Sequence, residues 1–218
     1  MLFPRNEATI EDVWQVIGLR GTGSDNYALS DHFIGDNYTY ERDSDQDRRE
    51  TGPLYRMGIL GVYGVAFSAV ALGLARASMD AFVQLAAEKV PKVGTKVLRE
   101  SAVIQSQVGI SEARLRAARS YLFGTLDQIW RRLMVDGNLE LSDRLNLRMS
   151  VTHAIQESRQ VVEGIYLAAG ATAIFSKNPF ERRFRDMHAV SQQIQGHISN
   201  LETAGQVLLG IEGANPRN

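Results

Sequence analysis

Between Arg56 and Arg76 the sequence runs for 19 residues, MGILGVYGVAFSAVALGLA, without a single charge. A stretch that long must be kept from water along its whole length, either inside a protein core or across a membrane. Four glycines, Ser68 and several alanines dilute its apolar character, and the amphipathic continuation RASMDAFVQLAAEK prolongs it as a helix. These features favour a helix buried on all sides in a bundle, with no membrane. Small residues at Gly58, Gly61 and Gly64 would let neighbouring helices approach closely.

The rest of the chain supplies those neighbours. The first helix opens at Thr51-Gly52-Pro53 and ends near Val90, because Pro91 follows. The second spans about Thr95 to Val135, with an apolar stripe at Ile104, Val108, Leu115, Leu122, Leu126, Ile129 and Leu133. The third starts at Ser142-Asp143 and ends at Gly170, burying Val151, Ile155, Val162, Ile165 and Tyr166. The fourth runs from Pro179 to Gly210, capped by Asn178, with Gly196 a place where it could bend. The fold class is mainly α, an antiparallel four-helix bundle over residues 51–218. At 1.5 Å per residue the first two helices would be roughly 55 to 60 Å long, which suggests an oligomer.

Ahead of the bundle, residues 1–35 read as two strands, Asp12 to Ile17 and Tyr27 to Ile34, around a Gly21-Thr22-Gly23-Ser24 turn. Two strands cannot bury their faces alone, so this is the tail of a larger β domain or is completed by another chain. Residues 36–50, with the run ERDSDQDRRE, form a solvated linker. A formal net charge of -1 argues against nucleic-acid binding. The absence of cysteine excludes disulfides, thiolate metal sites and thiol nucleophiles. The start, MLFPRNEATIED, lacks the apolar core of a signal peptide, so a cytoplasmic location is expected.

Polar chemistry concentrates on the fourth helix, where Arg182, Arg183, Arg185, Asp186 and His188 precede Gln192, Gln193, Gln195 and His197. Asp186 stands three and four residues after Arg183 and Arg182, so intrahelical pairing accounts for these charges as readily as a ligand does. No histidine has a glutamate three residues before it, so the di-iron pattern of such bundles is missing and no metal is expected. His188 and His197 fall on opposite faces of a straight helix. The Gly21 to Ser24 turn could cradle a phosphate, although a tight turn is the commoner use of such a sequence. Residue chemistry by itself reaches a helical bundle with a polar fourth helix.

Three segments together resemble the C-terminal half of the acyl-CoA dehydrogenase superfamily, and its type-2 branch with flavin-dependent monooxygenases most. They are Trp14 to Ser24 with Asp31-His32-Phe33-Ile34, Val103 to Val108, and Ala168-Ala169-Gly170 with Arg185-Asp186-Met187-His188-Ala189. The resemblance implies the end of a middle β domain followed by the C-terminal bundle, assembled as a dimer or tetramer, with FAD (alternatively FMN) between them. It implies that Gln105 faces the flavin and that Ala169 and Gly170 approach its phosphate-adenosine side. Trp14, Arg20, Thr22 and Ser24 would lie near the site.

The departures bear on the reaction. The family's pyrophosphate arginine would fall at Val90 in the stretch Val90 to Gly94, with Lys89 and Lys92 close by. The nearest equivalent of the Glu-Gly-Thr stretch that carries the dehydrogenases' catalytic glutamate is Gln195-Gly196-His197, and a glutamine cannot abstract a proton. Gln193 stands where the type-2 monooxygenases keep a histidine. His197, one turn on, could substitute if the helix bends at Gly196. Gln193, Gln195 and His197 are therefore the candidate catalytic positions. The implied function is flavin-dependent oxidation of an acyl thioester-type substrate, with little turnover by this chain alone. The alternatives are a reduced-flavin monooxygenase of an aromatic or polycyclic substrate, and a non-catalytic oligomerising bundle.

Overall fold

The computed structural model describes residues 1–41, 44, 46–92 and 94–211. Arg42, Asp43 and Asp45 of the expected linker, Val93 of the Val90 to Gly94 stretch, and residues 212–218 of the expected bundle domain lie outside the described residues. Among the described residues, six α-helices follow a two-stranded antiparallel sheet: α1 (Pro53–Arg56), α2 (Ile59–Glu88), α3 (Ala102–Val135), α4 (Leu141–Ala169), α5 (Phe180–Ser191) and α6 (Ser199–Leu208). The helix α4 is the hub, packing against α2, α3, α5 and α6. Its Val151, Ala154, Ile155, Val161, Val162 and Ile165 meet Ala71, Ala75, Met79 and Phe82 of α2 and Leu115, Leu122 and Ile129 of α3 in one core. Burying a side chain of this kind contributes about 1.5 to 3 kcal/mol. All seven residues of the expected stripe on α3 are in or against this core.

Several boundaries differ from expectation. The first helix breaks after one turn, because Gly58 adopts φ 79° and starts α2 afresh. Gly61 and Gly64 do bring α2 onto α4, since a β-carbon there would stand 3.1 Å from Leu147 and Val151 side-chain atoms respectively. With 30 and 34 residues, α2 and α3 are shorter than the sequence pattern suggests, at about 45 and 51 Å. Glu140, not Ser142, caps α4, in a reciprocal capping box with Asp143. Pro179, not Asn178, precedes α5. The Asn178 amide instead donates to Thr172 O at 2.8 Å, closing the turn after α4.

By length and composition α2 is the one helix among the described residues that could cross a membrane. Burial on all sides is not what the single chain provides. Ser68, Ala71, Leu72 and Ala75 face the core, while Tyr63, Val70 and Val83 stay about half exposed.

The strands are shorter than expected and displaced. The first, β1, is Thr9–Glu11 and the second, β2, is Asn26–Ala28, with Ile10 opposite Tyr27. Asp12 to Ile17 is irregular because its groups are used otherwise. Gln15 N–H closes a tight turn onto Val13 O, and Trp14 Nε1–H donates to Leu19 O at 3.0 Å. Ile10 and Tyr27 remain 46% and 65% exposed, so the pair has no core of its own.

Candidate functional site

Two sets of contacts organise the polar fourth segment. The first joins it to the β tail. Gly18 is buried against the α5 backbone, so closely that a β-carbon there would stand 2.7 Å from Asp186 N and nearer still to the Arg185 carbonyl. Beside it Leu19 holds a left-handed φ of 52°, uncommon for a residue with a side chain. Its N–H donates to Asp186 Oδ1 at 2.7 Å, and its carbonyl accepts from Trp14 Nε1 and from Thr22 Oγ1. Arg185 Nη1 donates to Ile17 O at 2.6 Å, and its guanidinium is braced by Glu181 one turn earlier. Leu19, Arg20, Gly21, Arg182, Arg185 and Asp186 line an open cleft along this seam.

The expected pairing of Asp186 with Arg182 or Arg183 is therefore replaced. Asp186 serves the tail. Arg183 points the other way and donates to Ala77 O on α2 at 2.8 Å. Burial, and secondarily the neighbouring Arg182 charge, lowers the pKa of Arg183 from its ordinary value.

The second set holds a break between α5 and α6, where one helix is expected. A 3-10 turn, Ile194–Gly196, separates them. Here α4 side chains take over the carbonyls: Thr152 Oγ1 donates to Gln195 O at 2.8 Å and Gln156 Nε2 to Gly196 O at 2.6 Å. From α6, Asn200 Nδ2 donates to Ile194 O at 2.8 Å and also reaches Thr152 Oγ1. Gly196 is buried, and a β-carbon on it would stand 2.9 Å from Ile155 Cγ2.

The candidate positions diverge at this break. Gln193 is half-buried at the start of the turn. Gln195 turns inward towards Gly64 of α2, and its Oε1 is buried without a hydrogen-bond partner. His197 is exposed and bonds through Nδ1 with Ser199 Oγ at 2.7 Å. His188, back on α5, stacks on Phe184 with centroids 4.3 Å apart, and its Nε2 lies 3.3 Å from Glu163 Oε1.

The remaining expected contacts lie elsewhere. Gln105 is exposed near the start of α3, where its amide donates to Arg99 O at 3.0 Å. Ala169 is buried at the end of α4, and Gly170 turns the chain with φ 56°. Lys89, at the end of α2, joins these two places. Its Nζ donates to Ala169 O at 2.6 Å and its carbonyl accepts from Leu98 N–H, just ahead of Arg99. An ammonium against the last carbonyls of a helix also complements the helix dipole. Trp14 is half-buried at the tail–α5 seam, and Ser24 is exposed on the turn beyond it. The structural roles of Lys89, Asp186, Thr152 and Gln156 went unread in the sequence; only the proximity of Lys89 to the Val90 stretch gave a signal.

No group of three or more His, Asp or Glu suited to a metal ion occurs among the described residues. A flavin is a different matter. The buried, unpartnered Gln195 Oε1 asks for a hydrogen-bond donor, and the aromatic Trp14 stands at a seam between β tail and bundle. Each is a feature that a polar, planar ligand can use, the first at the α5–α6 break facing α2 and the second at the tail–α5 seam.

A bundle of long helices with a two-stranded N-terminal segment docked on its fourth segment is the architecture that this chain shares with solved proteins of the acyl-CoA dehydrogenase fold. XiaF from Streptomyces sp., solved in complex with FADH2 and glycerol, superposes with a TM-score of 0.89 at 23% identity, over 100% of this chain and 57% of that one. The sequence profile "Acyl-CoA dehydrogenase, C-terminal domain" matches residues 65–197. The chain belongs to that family. It is 28% identical to indole-3-acetate monooxygenase of Pseudomonas putida over 209 residues, 96% of this chain and 53% of that protein. It is 26% identical to the flavin-dependent monooxygenase oxygenase subunit HsaA of Rhodococcus jostii, over 86% of this chain and 51% of that protein. The chain thus spans about half the length of the curated relatives it matches.

Proposed function

We propose that this chain is the bundle half of a reduced-flavin-dependent monooxygenase acting on an aromatic or polycyclic small molecule. The carrying observation is the likeness, over 96% of the chain, to a protein named as a monooxygenase. The chemistry supports the same choice over acyl-thioester oxidation. The nearest equivalent of the dehydrogenase base is Gln195, whose amide cannot take a proton from substrate carbon. A hydroxylation needs no such base at that position.

In this reading residues 1–35 complete a β domain, residues 36–50 link it to the bundle, and the flavin is FAD, with FMN as the alternative. A bound reduced flavin supplies electrons to dioxygen. The chain's own residues supply the walls. Trp14 and Ser24 stand on the β side, Gln105 on α3, and Ala169 with Gly170 at the end of α4 near the cation of Lys89. Gln195 Oε1 accepts a hydrogen bond from the ligand, and Gln193, in place of a histidine, donates and accepts without changing charge. His197 is held outside, on Ser199. The half-exposed Tyr63, Val70 and Val83 of α2, with Ile110, Phe123 and Trp130 of α3, support burial against further copies of the chain in a dimer or tetramer. They favour that over a membrane, and a cytoplasmic location is part of the proposal.

Titrating FAD and FMN, oxidised and dithionite-reduced, into the protein and following flavin fluorescence tests the reading. Saturable binding, weakened in Gln105→Ala, is the expected result. No saturable change with either flavin in either state overturns it.

A further inference from the structure

Three α4 side chains at i, i+3 and i+7 share one face of the helix. Gln156 Nε2 donates to Gly196 O at 2.6 Å, at the break. Arg159 Nε donates to Gln156 Oε1 at 3.1 Å. Arg159 Nη1 donates to Glu163 Oε1 at 2.6 Å. The same carboxylate oxygen lies 3.3 Å from His188 Nε2 on α5. Every link is half-buried. The chain of contacts runs from the ring of His188, which the aromatic stack of Phe184 and Tyr166 holds, back to the Gly196 carbonyl, in the peptide that joins Gly196 to His197.

We infer that Glu163 is a positioning residue for the α5–α6 break, acting on the Gly196–His197 peptide through Arg159 and Gln156 without touching it. Gln156 can hold the Gly196 carbonyl only if its own amide is turned with Nε2 towards α6. An amide has two ends, and the donor from Arg159 to Oε1 decides which end faces the break. Arg159 in turn has a long, flexible side chain, and Glu163 is the anion that fixes it beside Gln156. A hydrogen bond between half-buried groups strengthens when its partners are polarised and already ordered. The functional weight of the relay rests on the proposed placement of Gln193 and Gln195 at the flavin site. Its existence does not.

Amide hydrogen exchange at Gly196 and His197, measured on the full chain without flavin, tests the relay. Gln156→Ala removes the direct contact and should speed exchange there about tenfold, the effect of one partly buried hydrogen bond. Glu163→Ala should speed it about threefold although it lies outside the break. Alanine is the better helix former, so α4 itself does not loosen. Glu163→Gln, which keeps an acceptor for Arg159, should restore exchange towards the wild-type rate. The double variant Gln156→Ala, Glu163→Ala should exchange no faster than Gln156→Ala, because the second group acts through the first. Unchanged exchange in Glu163→Ala, no rescue by Glu163→Gln, or effects that multiply in the double variant would each overturn the inference. Should Glu163→Ala not fold, Arg159→Met interrupts the same relay and is read by the same criteria. Flavin titration of the same variants separates the two claims, since a relay that holds in a protein that binds no flavin refutes only the proposed function.

Discussion

Replacing Gly18 by alanine tests how the β tail is held to the bundle. The added carbon has nowhere to go, because the atoms it meets are the Arg185 carbonyl and Asp186 N, backbone inside a helix that Met187 and Val190 anchor in the core. A flexible side chain could swing aside; a helical peptide cannot. The tail must lift off α5, and two contacts go with it. The Leu19 N–H to Asp186 bond at 2.7 Å has a charged, partly buried acceptor and is worth about 2 kcal/mol. The Arg185 to Ile17 O bond at 2.6 Å is exposed and is worth about 1 kcal/mol. The tail has little burial of its own to offset that loss of about 3 kcal/mol, since both strands are exposed along their length. The bundle should survive, so the expected result is a separate early transition. Trp14 reports it directly in a Trp130→Phe background, through a red shift of its emission at lower denaturant than the helical signal. A Gly18→Ala protein with wild-type Trp14 emission and a single, unshifted transition would refute the docking argument.

Two further substitutions address the bundle. Asp143→Ala removes the acceptor for Glu140 N–H at 3.0 Å and the partner of Arg132, so denaturation should show a loss of about 1 to 2 kcal/mol; a loss under about 0.3 kcal/mol would contradict the cap. Glu112 is held below the ordinary carboxylate range, first by its hydrogen bond to Arg116 and then by Arg76. A depressed carboxylate stabilises the fold above its unfolded pKa and loses that contribution as pH falls through its folded pKa. The Tm difference between wild type and Glu112→Gln should therefore be full at neutral pH and close in acid below the normal carboxylate range. A difference that stays constant into acid would count against the pairing.

The long helices α2, α3 and α4 were legible because each is written in neighbouring residues. Pro91, the Asp136-Gly137 pair and Gly170 stop them, and the 3.6-residue spacing of Leu115, Leu122, Ile129 and Leu133 marks the buried face of α3. The strands were misplaced for the converse reason. Val13, Val16 and Ile17 have the composition of a strand, yet Gly18 must reach the α5 backbone and Trp14 must turn its indole back to Leu19 O. Those demands come from 167 residues away in the case of Leu19 and Asp186, and no local pattern carries them. Asp186 was misread on the same ground, since its helical neighbours Arg182 and Arg183 offered nearer partners than a distant backbone N–H. The fold could thus be read from local pattern and resemblance, while the site depends on which distant groups capture which carbonyls.

The break at Gly196 shows what that capture does. In a continuous helix the carbonyls of Gln195 and Gly196 would accept from N–H groups four residues on, and the side chains of Gln193, Gln195 and His197 would be spread around one axis. Here Thr152, Gln156 and Asn200 hold the carbonyls instead. The peptide is positioned by α4, not by α5. Gly196 makes this possible by lying against Ile155, where a β-carbon would collide. Gln195 is then free to point towards α2 while His197, two residues on, is delivered to solvent and held by Ser199. The opposite-face argument for His188 and His197 accordingly lapses, since it assumes a straight axis. What separates them in the structure is the break itself, and a substitution on α4 can move the candidate residues without touching α5 or α6.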